Sequence, residues 1–166
     1  NMLEHEANRF LDYTVPYYAD RTGKVVRPGN TAAEENAWNS RVLMAAVCMM
    51  PKHPHKHKWQ TKACELMISA YSRPSDLNNS TIIDGKAVKD WINGYNALEP
   101  GLVINHGRIH PDYMACVYFN STATLDCSLA NVPVPQSAYF NLDVVYHALT
   151  TYNFTPGSSP WTGHQI

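Results

Sequence analysis

Two apolar helical patterns joined by a short proline-containing connection constrain the fold of this chain most strongly. Residues 31–50 carry apolar side chains on one broad face, and residues 55–71 carry them at spacings of three and four. Pro51 and Pro54 interrupt the pattern between them, because proline cannot continue a helix. A connection this short places the two helices side by side in opposite directions. The sequence therefore predicts an antiparallel helical hairpin.

The start of this hairpin has the pattern of a capping box. Thr31 is followed three residues later by Glu34. In a capping box the hydroxyl accepts from the third helical amide, and the carboxylate accepts from the amide of the capping residue. This interpretation assigns Glu34 a local structural role.

Other segments predict further helices and long loops. The helices are predicted from the first residues up to Pro16, near residues 86–92, from Pro111 to before Asn131, and from Ser137 to Tyr152. Residues 72–110 otherwise predict a long ordered loop, and residues 156–161 a second loop. Neither a β-hairpin signature nor an alternating strand pattern is evident. The expected fold class is all-α, with residues 1–166 as a single domain of helical hairpins and long loops.

Composition excludes several classes of partner. The chain is 45% hydrophobic and 16% charged with a net charge of −1, which does not fit nucleic acid as the main partner. No apolar run reaches the ~18 residues of a membrane span. The four cysteines have no zinc-ligand spacing and are predicted to be buried thiols, with one disulfide as the alternative. His53, His55 and His57 are expected to lead into a helix, and no metal or cofactor is predicted.

The stretch from Asn105 to Tyr113 carries the densest chemistry in the chain. It contains an amide, two imidazoles, a guanidinium and a phenol at Asn105, His106, Arg108, His110 and Tyr113. Imidazole and phenol groups transfer protons, while amide and guanidinium groups bind carboxylates. These residues are therefore the candidate catalytic set. The alternative is a polar loop that caps the helix beginning at Pro111.

Two further clusters combine aromatic, amide and carboxylate side chains, a mixture typical of sugar contact. They are Glu35, Asn36, Trp38 and Asn39 at a helix start, and Trp91, Asn93 and Tyr95 in the long loop. We predict them as substrate-binding residues. The alternatives are a solvated first helical turn for the first cluster and aromatic anchors of the loop for the second.

Three stretches together resemble the helical-toroid polysaccharide lyases of the heparinase II/III and alginate lyase type, and related glucuronide-acting glycosidases. The stretches are residues 34–39, 91–96 and 105–114. The resemblance implies an (α/α)n toroid of helical hairpins with a loop-lined cleft. It further implies that Asn105 and His106 bind a uronate carboxylate, and that His110 or Tyr113 transfers the proton, with help from Arg108. A complete toroid has about twice as many helices and is followed by a β-sandwich, so we expect a segment of a larger chain.

The expected function is cleavage of a uronic-acid-containing polysaccharide by β-elimination, without a cofactor. Sequons at Asn78, Asn79, Asn120 and Asn153 favour a secreted or periplasmic protein. One alternative is glycoside hydrolysis, for which Glu35, Glu99 and Asp112 are the candidate carboxyl groups. The other is a helical carbohydrate-binding domain that uses Trp38, Trp91 and Tyr95.

Overall fold

A computed structural model describes residues 1–154, and most of them are helical. The helices are α1 (Met2–Arg9), α2 (Ala33–Met49), α3 (Lys56–Ala70), α4 (Val88–Trp91), α5 (Pro111–Ala115), α6 (Tyr118–Ala130) and α7 (Leu142–Thr151). Short 3-10 helices cover Phe10–Asp12, Pro74–Asn78 and Gln136–Tyr139. The loop predicted at residues 156–161 lies outside the described residues. Among the helices that are described, none has the length and apolar character needed to cross a bilayer.

The predicted helical hairpin is confirmed as the pair α2 and α3. The connection between the two helices is six residues at positions 50–55, and α3 packs along α2. Leu43 and Val47 of α2 meet Trp59 and Leu66 of α3 in a fully buried cluster. Each such side chain contributes about 1.5–3 kcal/mol through burial, which makes this pair the main support of the fold.

The predicted capping box is wrong. The residue that caps α2 is Ala32, and no side chain of the first turn completes the box. Instead, the buried amide of Asn96 accepts a hydrogen bond from the Ala32 amide at 2.9 Å. Thr31 contributes only a long contact of 3.4 Å from the Ala33 amide to its hydroxyl. The side chain of Asn96, 64 positions from Ala32, therefore supplies the hydrogen-bond acceptor at the start of α2. The sequence pattern had predicted this capping role for Thr31 and Glu34.

The prediction of a chain without β-hairpins is also wrong. Residues 1–154 contain three antiparallel pairs of two-residue strands: β1 (Ala19–Asp20) with β4 (Gly94–Tyr95), β2 (Ile82–Ile83) with β3 (Lys86–Ala87), and β5 (Ile104–Asn105) with β6 (Arg108–Ile109). The all-α prediction therefore holds only as a mostly helical fold. Strands of two residues are too short for an alternating pattern. The turns Asp84-Gly85 and His106-Gly107 both have positive φ at both residues, as primed hairpin turns require.

The helix predicted from Pro111 to Asn131 is divided into α5 and α6. The hydroxyl of Tyr71 donates to the carbonyl of Tyr113 at 3.0 Å. That carbonyl would accept from Val117 in a continuous helix, but the Val117 amide bonds to Met114 instead. The long-range tyrosine contact thus coincides with the break and fixes the direction of α5.

The last predicted helix is shorter than expected. It begins at Leu142 rather than Ser137, because Asn141 takes a left-handed conformation with φ 55°. The side-chain Nδ2 of Asn141 donates to the Tyr71 carbonyl at 2.8 Å and to the Asp76 carboxylate at 2.9 Å. These contacts hold the start of α7 against the end of α3.

A second buried cluster brings the start of α2, the end of α3, α5 and α7 together. Its members include Ala33, Tyr71, Met114 and Val145. The cluster places the first turn of α2 beside the segment that carries the candidate catalytic residues.

Candidate functional site

The β5–β6 hairpin presents the first candidate catalytic residues at its tip. Asn105 pairs with Arg108 across the hairpin, and His106 and Gly107 form the turn with φ of 52° and 75°. Histidine is among the residues that tolerate this conformation, and glycine adopts it freely. The turn leaves the His106 and Arg108 side chains exposed, and α5 follows directly at Pro111.

Three rings meet beside this hairpin, and we call His106, His110 and Tyr113 the ring cluster. His106 Nε2 lies 3.0 Å from the Tyr113 hydroxyl. The ring centres are 5.7 Å apart for His106 and His110, 5.5 Å for His106 and Tyr113, and 4.8 Å for His110 and Tyr113. The hairpin and the first turn of α5 therefore unite two imidazoles and a phenol within reach of one ligand.

A short loop before α2 holds the hairpin in place through three hydrogen bonds. The Gly107 amide donates to the Gly29 carbonyl at 2.9 Å, and the His106 amide donates to Asn30 Oδ1 at 3.0 Å. The Thr31 amide donates to the Ile104 carbonyl at 2.9 Å. These bonds connect the ring cluster to the first turn of α2.

Asn105 and His106 each keep a hydrogen-bond donor available. Asn105 is 8% exposed, and its Oδ1 accepts from the His106 amide at 2.9 Å. Its Nδ2 has no hydrogen-bond partner among residues 1–154. When the Tyr113 hydroxyl donates to His106 Nε2, the Nδ1–H of His106 remains a donor. Two neighbouring neutral donors suit an anionic oxygen.

Burial shifts the pKa values of His110 and Tyr113 in opposite directions. Burial, together with the nearby charges of Arg108 and His106, lowers the pKa of His110 below 6.5, while Asp112 opposes the shift. His110 is 7% exposed, and its Nδ1 is buried without a hydrogen-bond partner in the described part of the chain. Burial raises the pKa of Tyr113 above 10. The cluster therefore holds a neutral imidazole and a protonated phenol at neutral pH.

Glu34 is a site residue that the sequence interpretation missed. Its carboxyl group makes no hydrogen bond or ion pair with any residue the structure describes. Burial, and then the charge of Glu35, raise its pKa. The charge of Glu34 in turn helps to raise the pKa of Tyr113 and of Cys116. The charge of Glu34 therefore acts on residues of α5, and the carboxyl group has no capping role.

Glu35 and Asn36, predicted to bind substrate, have structural partners instead. The Glu35 carboxylate accepts from the Tyr13 hydroxyl and from Arg27, the latter at 3.0 Å. Asn36 is fully buried, and its Nδ2 donates to the Pro16 carbonyl at 2.9 Å. These contacts join the segments on either side of β1 to α2. Asn36 is withheld from a ligand by burial, whereas the Glu35 side chain stays 41% exposed.

Trp38 and Asn39 lie further along α2. Trp38 is 53% exposed and packs against Phe119 with ring centres 5.1 Å apart. Asn39 is partly exposed, close to the Tyr13 hydroxyl. Within residues 1–154, neither side chain forms a hydrogen bond or ring contact with the ring cluster, and their role in substrate binding stays a prediction.

Trp91 and Tyr95 are anchors of the long loop. Trp91 is 7% exposed and its indole donates to the Ile83 carbonyl at 2.9 Å. Tyr95 is 9% exposed and pairs with Ala19 between β4 and β1. Asn93 is exposed between them. The structure brings Asn105, His106, His110 and Tyr113 together, whereas Trp91 packs in a separate apolar cluster.

His106 and Tyr113 of the ring cluster reach the surface, whereas two cavities lie elsewhere. A groove of about 650 Å³ is lined by residues of α1, the following 3-10 helix and α3. An apolar groove of about 370 Å³ is lined by α5, α7 and the connection to α6. Within residues 1–154, no three His, Cys, Asp or Glu side chains come together in a way that could hold a metal ion.

Comparison of the chain with protein-family models, with curated proteins and with solved structures gave no match.

Proposed function

We propose that this protein cleaves a uronic-acid-containing polysaccharide by β-elimination at the ring cluster. The observation that carries the proposal is the 3.0 Å contact between His106 Nε2 and the Tyr113 hydroxyl, beside the unused amide donor of Asn105. Elimination requires a neutralised carboxylate, a base and an acid close together. The residues at this contact and beside it, Asn105, His106, His110 and Tyr113, include candidates for all three roles.

Asn105 and His106 are proposed to bind the uronate carboxylate. Asn105 Nδ2 and His106 Nδ1–H donate to its two oxygens, and the exposed guanidinium of Arg108 adds positive charge. When the C5 proton leaves, negative charge moves onto this carboxylate. Donors already held in place stabilise that charge more in the transition state than in the ground state, which lowers the barrier.

His110 is proposed as the base and Tyr113 as the acid. The neutral His110 imidazole takes the proton from C5, and the C5 electron pair forms the C4–C5 double bond. The C4–O4 bond breaks, and the Tyr113 hydroxyl protonates the leaving O4. The lowered pKa of His110 and the raised pKa of Tyr113 support this division, because each group has the required proton state at neutral pH.

We further propose that the helical hairpins form part of an (α/α)n toroid, in a segment of a larger protein. The α2–α3 hairpin and the position of the ring cluster where the β5–β6 hairpin leads into α5 support this arrangement. Secretion or a periplasmic location remains part of the proposal. Its support from sequons is reduced at Asn120, which is 1% exposed and donates to the Met67 carbonyl at 3.1 Å.

The two alternative functions have less support. For hydrolysis, Glu35 is bound by Tyr13 and Arg27, and Glu99 accepts from Arg73 and from the Ser75 amide, each at 3.1 Å. A carbohydrate-binding face that uses aromatic rings would need them exposed, but of the three predicted rings Trp91 and Tyr95 are buried and Trp38 alone is exposed.

The proposal is tested by ultraviolet absorbance while the protein is incubated with a panel of uronate polymers. Elimination creates a conjugated C4–C5 double bond that absorbs, and hydrolysis does not. A rise in absorbance supports the proposal. New reducing ends without a rise would favour hydrolysis, and neither signal from folded protein would favour a binding domain.

The pH dependence of kcat/KM should follow His110. Protonation of the base as pH falls removes activity, so the midpoint of the acid limb is expected below pH 6.5. Asp112→Asn removes the charge that opposes the pKa shift, and it should move this midpoint further down. Asp90→Asn, at an exposed position of α4, is the matched control and should leave the midpoint unchanged. A midpoint above 6.5 would assign the base to another group.

Glu34→Gln should lower the pKa of Tyr113, because it removes a negative charge that disfavours the phenolate. The pKa is measured by NMR titration of the protein with labelled tyrosine rings. Glu6→Gln changes a carboxylate on α1 and should leave Tyr113 unaffected. An unchanged Tyr113 titration in Glu34→Gln would place Glu34 outside the site.

A further inference from the structure

Two thiols on neighbouring helices lie close together in the core. Cys48, in the last turn of α2, and Cys127, in α6, have Sγ atoms 3.8 Å apart. Cys48 is 9% exposed and Cys127 is fully buried. We propose that Cys48 and Cys127 form a structural disulfide when this protein folds in an oxidising environment.

The arrangement of the four cysteines makes this pairing specific. A disulfide needs its sulfur atoms about 2 Å apart, so the pair must close by roughly another 2 Å. Packing of α2 against α6 already sets the approach. Cys64 lies in a different apolar cluster, with Trp91 and Phe140, and Cys116 lies at the end of α5. Residues 1–154 thus offer neither Cys64 nor Cys116 a comparable thiol neighbour.

The bond is expected to form during folding rather than in the folded protein. Burial raises the pKa of Cys48 and raises that of Cys127 to about 12. The thiolate is the attacking species, so the folded thiols react slowly. In the unfolded chain, one thiolate attacks glutathione disulfide and releases one glutathione. As folding brings α2 against α6, the second thiolate attacks the mixed disulfide and releases the other glutathione. The protein loses two protons and two electrons, which the glutathione disulfide accepts.

The disulfide should stabilise the fold without changing the ring cluster. It joins residues 79 positions apart and therefore restricts the unfolded chain over a long loop. We expect Tm to rise by about 10 °C relative to the reduced protein. Cys48 is fourteen residues from Glu34 along α2, or roughly 20 Å. The effect on stability is therefore independent of the proposed lyase activity.

The experiment refolds the full chain in a glutathione redox buffer and maps its peptides without reduction. The expected product links the peptide of Cys48 to that of Cys127, with a mass lower by two hydrogen atoms. The rise in Tm should persist in Cys64→Ala and Cys116→Ala, the matched controls. It should disappear in Cys48→Ala and in Cys127→Ala.

Four free thiols after refolding, or a linkage to Cys64 or Cys116, would overturn the pairing. The correct linkage without a rise in Tm would overturn its structural role. The peptide map of the unsubstituted protein decides the pairing even where an alanine variant does not fold.

Discussion

His106→Ala is expected to reduce kcat/KM for elimination by about 10²- to 10³-fold, the usual scale for the loss of one hydrogen-bond donor to developing negative charge. The substitution removes the imidazole that contacts the Tyr113 hydroxyl at 3.0 Å, and with it a proposed donor to the carboxylate. The side chain is exposed, so the fold should persist. Ultraviolet absorbance of the unsaturated product measures the loss, and circular dichroism verifies the fold.

Tyr113→Phe tests the same pair from the other side. It removes one hydroxyl and keeps the ring that packs against His110. We expect a similar loss of kcat, with little further loss when it is combined with His106→Ala, because residues that act as a unit are not additive. His57→Ala, at an exposed position of α3, is the control and should keep full activity. Activity within threefold of the unsubstituted protein in both site variants would remove the ring cluster from the mechanism.

The helices could be predicted from sequence where burial of one face follows the helical period. Residues 31–50 and 55–71 gave this signal, and α2 and α3 lie within two residues of the predicted bounds. The breaks after Ala115 and before Leu142 could not be predicted. They coincide with hydrogen bonds that involve Tyr71, a residue distant in sequence from both.

The hairpins were missed although their turns carry a signal. Asp84-Gly85 is flanked by Ile82–Ile83 and Lys86–Ala87, and an Asp-Gly pair is typical of a two-residue hairpin turn. For the equivalent pair His106-Gly107, the sequence predicted a catalytic role for His106 and no hairpin turn. His106 and Gly107 have two roles. They form the turn that closes the β5–β6 hairpin, and this turn also places the His106 imidazole beside α5.

The candidate site could be predicted only where it is local. Residues 105–113 come together because a tight turn leads directly into a short helix. The expected convergence with Glu35 and Trp91 depended on packing between distant elements, and those side chains have their own structural contacts. Conversely, Asn30 reaches the site through a contact with the His106 amide that no local pattern encodes.

Asn96→Ala is expected to lower the free energy of unfolding by about 3 kcal/mol, since it leaves the buried Ala32 amide without an acceptor and opens a small cavity. Asn96 is fully buried, and its Nδ2 also donates to the carbonyls of Ser69 at 2.9 Å and Pro16 at 3.2 Å. After the substitution, the Pro16 carbonyl still accepts from Asn36 and the Ser69 carbonyl still accepts from Ser72. The unpaired backbone amide of Ala32 therefore accounts for most of the lost stability.

This loss should also reach the ring cluster, because the segment that leads into α2 holds the β5–β6 hairpin. Urea unfolding measures the stability, and hydrogen exchange at the His106 and Gly107 amides measures the local effect. Asn93→Ala, the same change at an exposed position three residues earlier, should alter stability by less than about 0.5 kcal/mol. Equal losses in the two variants would mean that the Asn96 side chain does not hold the start of α2. A large loss for Asn96→Ala with unchanged exchange at the hairpin would separate the stability of α2 from the geometry of the site.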